Sequence, residues 1–368
     1  MKQAKILFLT AIALLLLMSV SCTGAAQPTG GWSGPAVHDG ILYAGTRDGR
    51  VVAINASTQE VLWRWPDATG VRSLIYATPM VDGDLVYVGT YSGKVYVLSI
   101  ADGEDMWDYP RDGYVGAIVG TPVIANETIF VSSSDGRIYA LNTTNGKRRW
   151  ESDPPLADKL WTSPTVVGDT LYISTFDGHI YVLSTETGRF SDWSFQSGAG
   201  LASSPTVGGN VVYVGSFDRH LYAVRIGDNE PLWEFPGSKW FWAAPLINDG
   251  VVYAGCLDGR LYAIDAITGE KLWEFEAASP IVSSPVVMDS LLIVIDEAGT
   301  VYVFDLSTES GGEVVPVKTI PVGASVRSSI CADEGMIYVR SEANSIYAVD
   351  IDKGEIAEGW PISLATEK

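Results

Sequence analysis

The chain has 368 residues, enough for two or three average domains or one large repeated array, and its 47% hydrophobic content excludes a disordered polymer. Charged residues are only 18%, and 44 carboxylates against 24 basic side chains leave a net charge of −20, which argues against binding a nucleic-acid backbone. Three His and three Cys are too few for a zinc cluster, an iron–sulfur site or a disulfide framework.

The first element is a targeting segment, residues 1–22. Lys2 and Lys5 precede the apolar run Ile6 to Met18, which is too short to span a bilayer comfortably. Ser19-Val20-Ser21-Cys22 and the small, flexible linker 23–31 follow. This resembles a bacterial lipoprotein signal in which Cys22 becomes the lipidated N-terminus, although Ser19 stands where such signals usually carry Leu. Ordinary signal-peptidase cleavage is the alternative, since Ser19/Ser21 and Gly24/Ala26 are also small pairs. Either route puts the body of the protein, residues 32–364, outside the cytoplasm.

That body is a repeat. A Pro after two small residues recurs at Pro35, Pro79, Pro122, Pro164, Pro205, Pro245 and Pro285, with Ile330 in the eighth place, roughly every 42 residues. Each unit continues with an alternating apolar strand such as Leu85-Val86-Tyr87-Val88, then a Ser-Gly or Asp-Gly turn, for example Asp258-Gly259. The next strand carries Tyr in its second place, as in Leu261-Tyr262-Ala263-Ile264, in every unit but the first, which has Val51-Val52-Ala53-Ile54. A final turn leads to Trp63, Trp107, Trp150, Trp193, Trp233, Trp273 or Trp360, while the seventh unit has no Trp there and ends in Val314-Val315.

Four short strands in a unit of about 42 residues are the arithmetic of a propeller blade. The fold expected is all-β, an eight-bladed β-propeller with four antiparallel strands per blade. A bulky ring at the outer strand is expected to dock between neighbouring blades, with Gly leaving room for it. Each blade is contiguous in sequence, so the ring is expected to close only by packing of blade eight on blade one. Residues 330 to 364 would then be its weak part.

The unit Asp258-Gly259-Arg260-Leu261-Tyr262-Ala263-Ile264 through Thr268-Gly269-Glu270-Lys271-Leu272-Trp273 resembles the repeat of the pyrroloquinoline-quinone (PQQ)-type propellers. Within that group the chain is most similar to outer-membrane assembly lipoproteins of the BamB type. The resemblance implies a non-catalytic scaffold, with a protein partner at the cell envelope and membrane attachment through the N-terminal lipid. It implies a monomeric propeller on a bacterial membrane, the outer one where the host has one. It does not by itself imply a bound quinone. Quinone dehydrogenases of this fold hold calcium and often carry a vicinal Cys pair, whereas Cys256 and Cys331 lie in blades six and eight.

No cofactor, metal site or catalytic residue is expected. Asp48, Asp135, Asp177, Asp218 and Asp258 read as turn formers, and His179 and His220 as turn residues. The candidate binding face is the set of connections between blades, where aromatic and basic residues gather: Arg72, Tyr76, Tyr114, Lys159, Trp161, Lys239, Trp240, Trp242 and Arg327, with Phe241 among them. Two other readings stay open. One is a sugar- or ligand-sensing lipoprotein stacking its ligand on Trp161, Trp240 and Trp242, and the other is a small PQQ-dependent dehydrogenase.

Overall fold

The structure is a computed structural model that describes residues 33–66, 73–201, 203–228, 230–307 and 314–365. Arg72, Cys22 and the linker lie outside the described residues. From Ser33 onward the chain forms eight consecutive antiparallel sheets, every one built from strands contiguous in sequence. Blade one shows the pattern, with strands Ala36–His38, Ile41–Gly45, Val51–Asn55 and Val61–Trp65. The recurrent prolines, and Ile330, sit immediately before the three-residue inner strands and not within them. Proline cannot donate to the ladder, so the lead-in to an edge strand is where it costs least.

Apolar side chains of the second and third strands point alternately to the two faces of each sheet. They form eight buried clusters, each lying between two adjacent blades. Tyr43, Trp63 and Ile75 pack with Val86, Val88 and Leu98 between blades one and two, for example. The ring is complete because Leu42, Ala44, Val52 and Ile54 of blade one pack against Tyr338, Ile346 and Ala348 of blade eight.

Five of the outer-strand tryptophans reach across to the next blade. The indole N–H of Trp63, Trp107, Trp150, Trp193 and Trp233 donates to a carbonyl of the following blade, that of Ile100, Thr143, Thr185, Asp228 and Ala266, at 2.6–3.0 Å. A Cβ on Gly269 would stand 2.6 Å from the Trp233 ring, so that turn accepts the indole only because it has no side chain. Trp273 packs against Tyr253 and Phe304, and Trp360 against Tyr338.

Blade seven departs from the sequence reading. Its outer strand is Lys318–Pro321, and Lys318 lies opposite Val303, the register that pairs Ala53 with Trp63 and Ala263 with Trp273. A lysine occupies the docking place. Its ammonium donates to the Ile351 carbonyl of blade eight at 2.5 Å, the same kind of acceptor that the indoles use, and its stem lies by Gly354. The aromatic partner of the second strand is missing as well, since Ile293 stands where blade one has Tyr43.

A second belt joins the blades around the axis. The backbone N–H of Gly34 donates to the Thr78 hydroxyl, Thr78 to Thr121, Thr121 to Ser163 and Ser163 to Ser204, at 2.9–3.2 Å. The small residues before each proline therefore link blade to blade from one to five. Ala244 has no hydroxyl to continue the chain.

Blade eight meets blade one through more than sheet faces, contrary to the sequence expectation. At most junctions a large apolar side chain from the connection fills the space beside a small residue that ends the second strand, as Ile75 does at Gly45 and Phe241 at Gly215. Here that small residue is replaced by Arg340, only 4% exposed. Its guanidinium donates to the Ser33 carbonyl at 3.3 Å and to the Asn344 side chain at 3.2 Å. Burial, with Arg47 nearby, holds its pKa down to about 10. Arg47 donates through its backbone to Asn344 and through its side chain to the Glu342 carbonyl, both at 3.0 Å, and the Gln59 amide reaches the Glu358 carbonyl at 2.7 Å. The outer strand of blade eight is split into Glu355–Ile356 and Ile362–Ser363.

Candidate functional site

One face of the disc carries the connections between blades together with the hairpins that join second and third strands. Backbone bonds zip the two sets together. Tyr91 N–H donates to Leu74 C=O, Phe217 to Gly200, Leu257 to Trp240, Glu297 to Pro280 and Glu342 to Ser325, at 2.8–3.0 Å. Side chains on this face thus stand on loops pinned at both ends, which fixes their positions without regular structure.

The predicted aromatics separate into two groups. Trp161 packs edge-on to Phe176 with ring centroids 5.5 Å apart, Phe176 meets Phe217 at 5.6 Å, and Phe217 meets Trp240 at 4.9 Å and Trp242 at 5.8 Å. These five half-buried rings form a continuous tract over blades four to six. The Trp161 indole N–H is enclosed there without a hydrogen-bond partner among the described residues. Lys159 and Lys239 are exposed beside the tract. On blades two and three, Tyr76 packs on Tyr91 at 5.2 Å, and Lys94 lies 5.9 Å from the centre of the Tyr114 ring.

Two of these residues are tied into the fold. Arg327 is bound internally: its guanidinium contacts Glu297 at 2.5 Å and Glu342 at 3.4 Å, carboxylates supplied by the hairpins of blades seven and eight. Phe241 is fully buried as the plug at Gly215 and belongs to the core. The sequence reading also passed over Tyr91, Phe176 and Phe217. Each is the aromatic residue next to a Ser-Gly, Asp-Gly or Asp-Arg turn, in a place held elsewhere by Arg47, Ser134 or Glu342. An aromatic there has no turn-forming reason, and that was the available signal.

The turn aspartates act as formers. Asp135, Asp218 and Asp258 accept the backbone N–H of Arg137, His220 and Arg260, and also the hydroxyl of Tyr139, Tyr222 and Tyr262 at 2.7–2.9 Å. Burial first, then these carboxylates, raise the pKa of all three phenols. His179 and His220 stand beside Asp177 and Asp218 at 3.2 and 3.3 Å.

Cys256 is buried with its thiol on the Lys239 carbonyl, and Cys331 is in the inner strand of blade eight. Among the described residues no group of three His, Cys, Asp or Glu side chains is arranged to hold a metal ion.

The family described as outer membrane protein assembly factor BamB matches residues 18–192, 191–308 and 258–360. The chain belongs to the BamB family of PQQ-like propellers. BamB from Moraxella catarrhalis is a similar solved structure, at 19% identity and a TM-score of 0.69, covering 88% of this chain and 95% of that one. The computationally designed Ika8 protein is similar at 16% identity and a TM-score of 0.73, covering 87% and 96%. At such identities these two structures speak for the fold alone. No curated protein matches the chain.

Proposed function

We propose that this BamB-type propeller is a non-catalytic scaffold of a bacterial cell envelope, exported by its N-terminal signal, held to the membrane by lipid on Cys22, and binding a protein partner without a cofactor. The observation that carries the reading is the aromatic tract of Trp161, Phe176, Phe217, Trp240 and Trp242, set on pinned loops of a chain whose family match runs almost end to end. Half-buried aromatic rings on a rigid face bury large area on contact at little ordering cost, which is what a protein-binding surface requires.

Affinity capture from solubilised membranes tests the partner. Trp240→Ala with Trp242→Ala is expected to lose the captured protein while the native melt is kept, and unchanged capture would refute the role of the tract. Capture of no protein, with retention on a glycan column instead, would favour the sugar-binding reading. For the anchor, Cys22→Ala is expected to move the protein from the membrane fraction to the soluble one. A soluble wild type, or a membrane-bound variant, would refute lipidation.

A further inference from the structure

A patch apart from the tryptophan tract stands out on the same face. Among the large apolar side chains exposed by the described residues, Tyr114 (69%) and Tyr91 (43%) are the two on the loop face. They flank one hairpin of blade two: Tyr91 lies in it, and Val115, next to Tyr114, donates its N–H to Gly93 at 3.0 Å. The cation of the patch is already engaged, since the Lys94 ammonium is 2.5 Å from the Asp108 carboxylate and donates to the Arg111 carbonyl at 3.3 Å. The patch is therefore aromatic, with its lysine neutralised by Asp108, in a chain of net charge −20.

The chain enters the propeller on this same face. Ser33 precedes the inner strand of blade one, whose neighbour is blade two, and the Gly34 N–H donates to Thr78 of that blade. If Cys22 carries the lipid, residues 23–32 can span at most about 36 Å even when fully extended. A tether of that reach entering beside the axis favours presenting the loop face to the bilayer, since presenting the opposite face would take the tether across the disc and over its rim. The opposite face is ringed by Asp39, Asp82, Asp84, Glu127, Asp169, Asp249, Asp289 and Glu334 on its inner hairpins, all exposed and repelled by anionic headgroups.

We infer that Tyr91 and Tyr114 seat in the headgroup layer of the membrane that holds the tether, so that the propeller lies on the bilayer by the edge of blades two and three. Tyrosine suits that depth, with an apolar ring and a hydroxyl left in water. With Lys94 paired to Asp108, the contact rests on the two rings and depends little on salt. This leaves the tryptophan tract of blades four to six for the protein partner. The inference rests on the anchor proposed above, and the test separates the two.

Hydroxyl-radical footprinting of the lipidated full chain in phosphatidylcholine vesicles reads the contact directly. Oxidation of Tyr91 and Tyr114 is expected to fall at least fivefold relative to Cys22→Ala protein mixed with the same vesicles, at low and high salt alike. Met106, exposed on an outer strand, serves as the unchanged reference. If wild type fails to load onto vesicles, the natural anchor is refuted, and a synthetic lipid coupled at residue 22 still tests the patch. Equal oxidation of the two tyrosines in anchored and free protein overturns the inference. Protection only in native membranes, lost after protease treatment, also overturns it and assigns the patch to a protein.

Discussion

Replacing Trp233 by alanine is the sharpest test of how the blades are held together. Its ring is almost fully buried, lies over Gly269 and packs on Tyr213 with centroids 5.8 Å apart. The Ala266 carbonyl would keep one donor, the Tyr213 hydroxyl at 3.0 Å, so the loss is chiefly the cavity. Truncating a buried tryptophan costs about 3–5 kcal/mol, and the retained bond places this one near the low end. Lys318 occupies the same docking place with a half-buried stem and a charge-assisted bond to the Ile351 carbonyl. Lys318→Met keeps the stem and should cost about 1–2 kcal/mol. Lys318→Trp should be neutral or stabilising by about 1 kcal/mol, because Gly354 and the Ile351 carbonyl are both in place to receive an indole while Ile293 offers no aromatic partner. Urea unfolding followed by far-ultraviolet circular dichroism gives all three values. A loss below about 1 kcal/mol at Trp233, or no loss in Lys318→Met, would show that the blades are held by their sheet faces and not by docking residues.

Three further outcomes follow from individual residues. Burial raises the phenols of Tyr43 and Tyr87 to about 12 and raises several others, so the unfolded chain ionises first; stability should hold below about pH 10 and be lost as pH rises toward the folded values, and thermal melts unchanged between pH 9 and 12 would refute this. The thiols of Cys256 and Cys331, both pushed up to about 12, should resist alkylation at pH 8 until the protein is denatured, and prompt labelling of native protein would show an opening at blade six or eight. Neighbouring residues should part company: Phe241→Ala is expected to cost about 3–5 kcal/mol as a core plug and Trp240→Ala less than about 1 kcal/mol, with equal losses in denaturant melts placing Trp240 in the core.

The blades were legible because their determinants are local. A Tyr two places into a strand, a Gly-containing turn and a Trp at fixed spacing state the geometry of one unit, and repetition removes the ambiguity. What escaped depends on distant partners. Lys318 is recognisable as a docking residue only through its register with Val303, because the longer turn of blade seven shifts the count. Arg327 looked available since its two carboxylates come from hairpins of blades seven and eight. Arg340 owes its place to Ser33, 307 residues away. The tryptophans of the candidate site were visible, while Phe176 and Phe217, which join them, stood in turns read only for their Asp.

Because every sheet is completed by residues contiguous in sequence, no described blade borrows a strand from the other end of the propeller. Nothing in blade four or five depends on strands borrowed from elsewhere. A chain begun at the blade four inner strand and ended with the blade three outer strand would contain the same eight sheets in the same circular order. Growth or loss of a blade during evolution would require only a copied or deleted stretch of gene, with no rewiring of the rest. The cost of such a change would fall at the join, where a buried arginine and its carbonyl now do what a plug and a glycine do elsewhere.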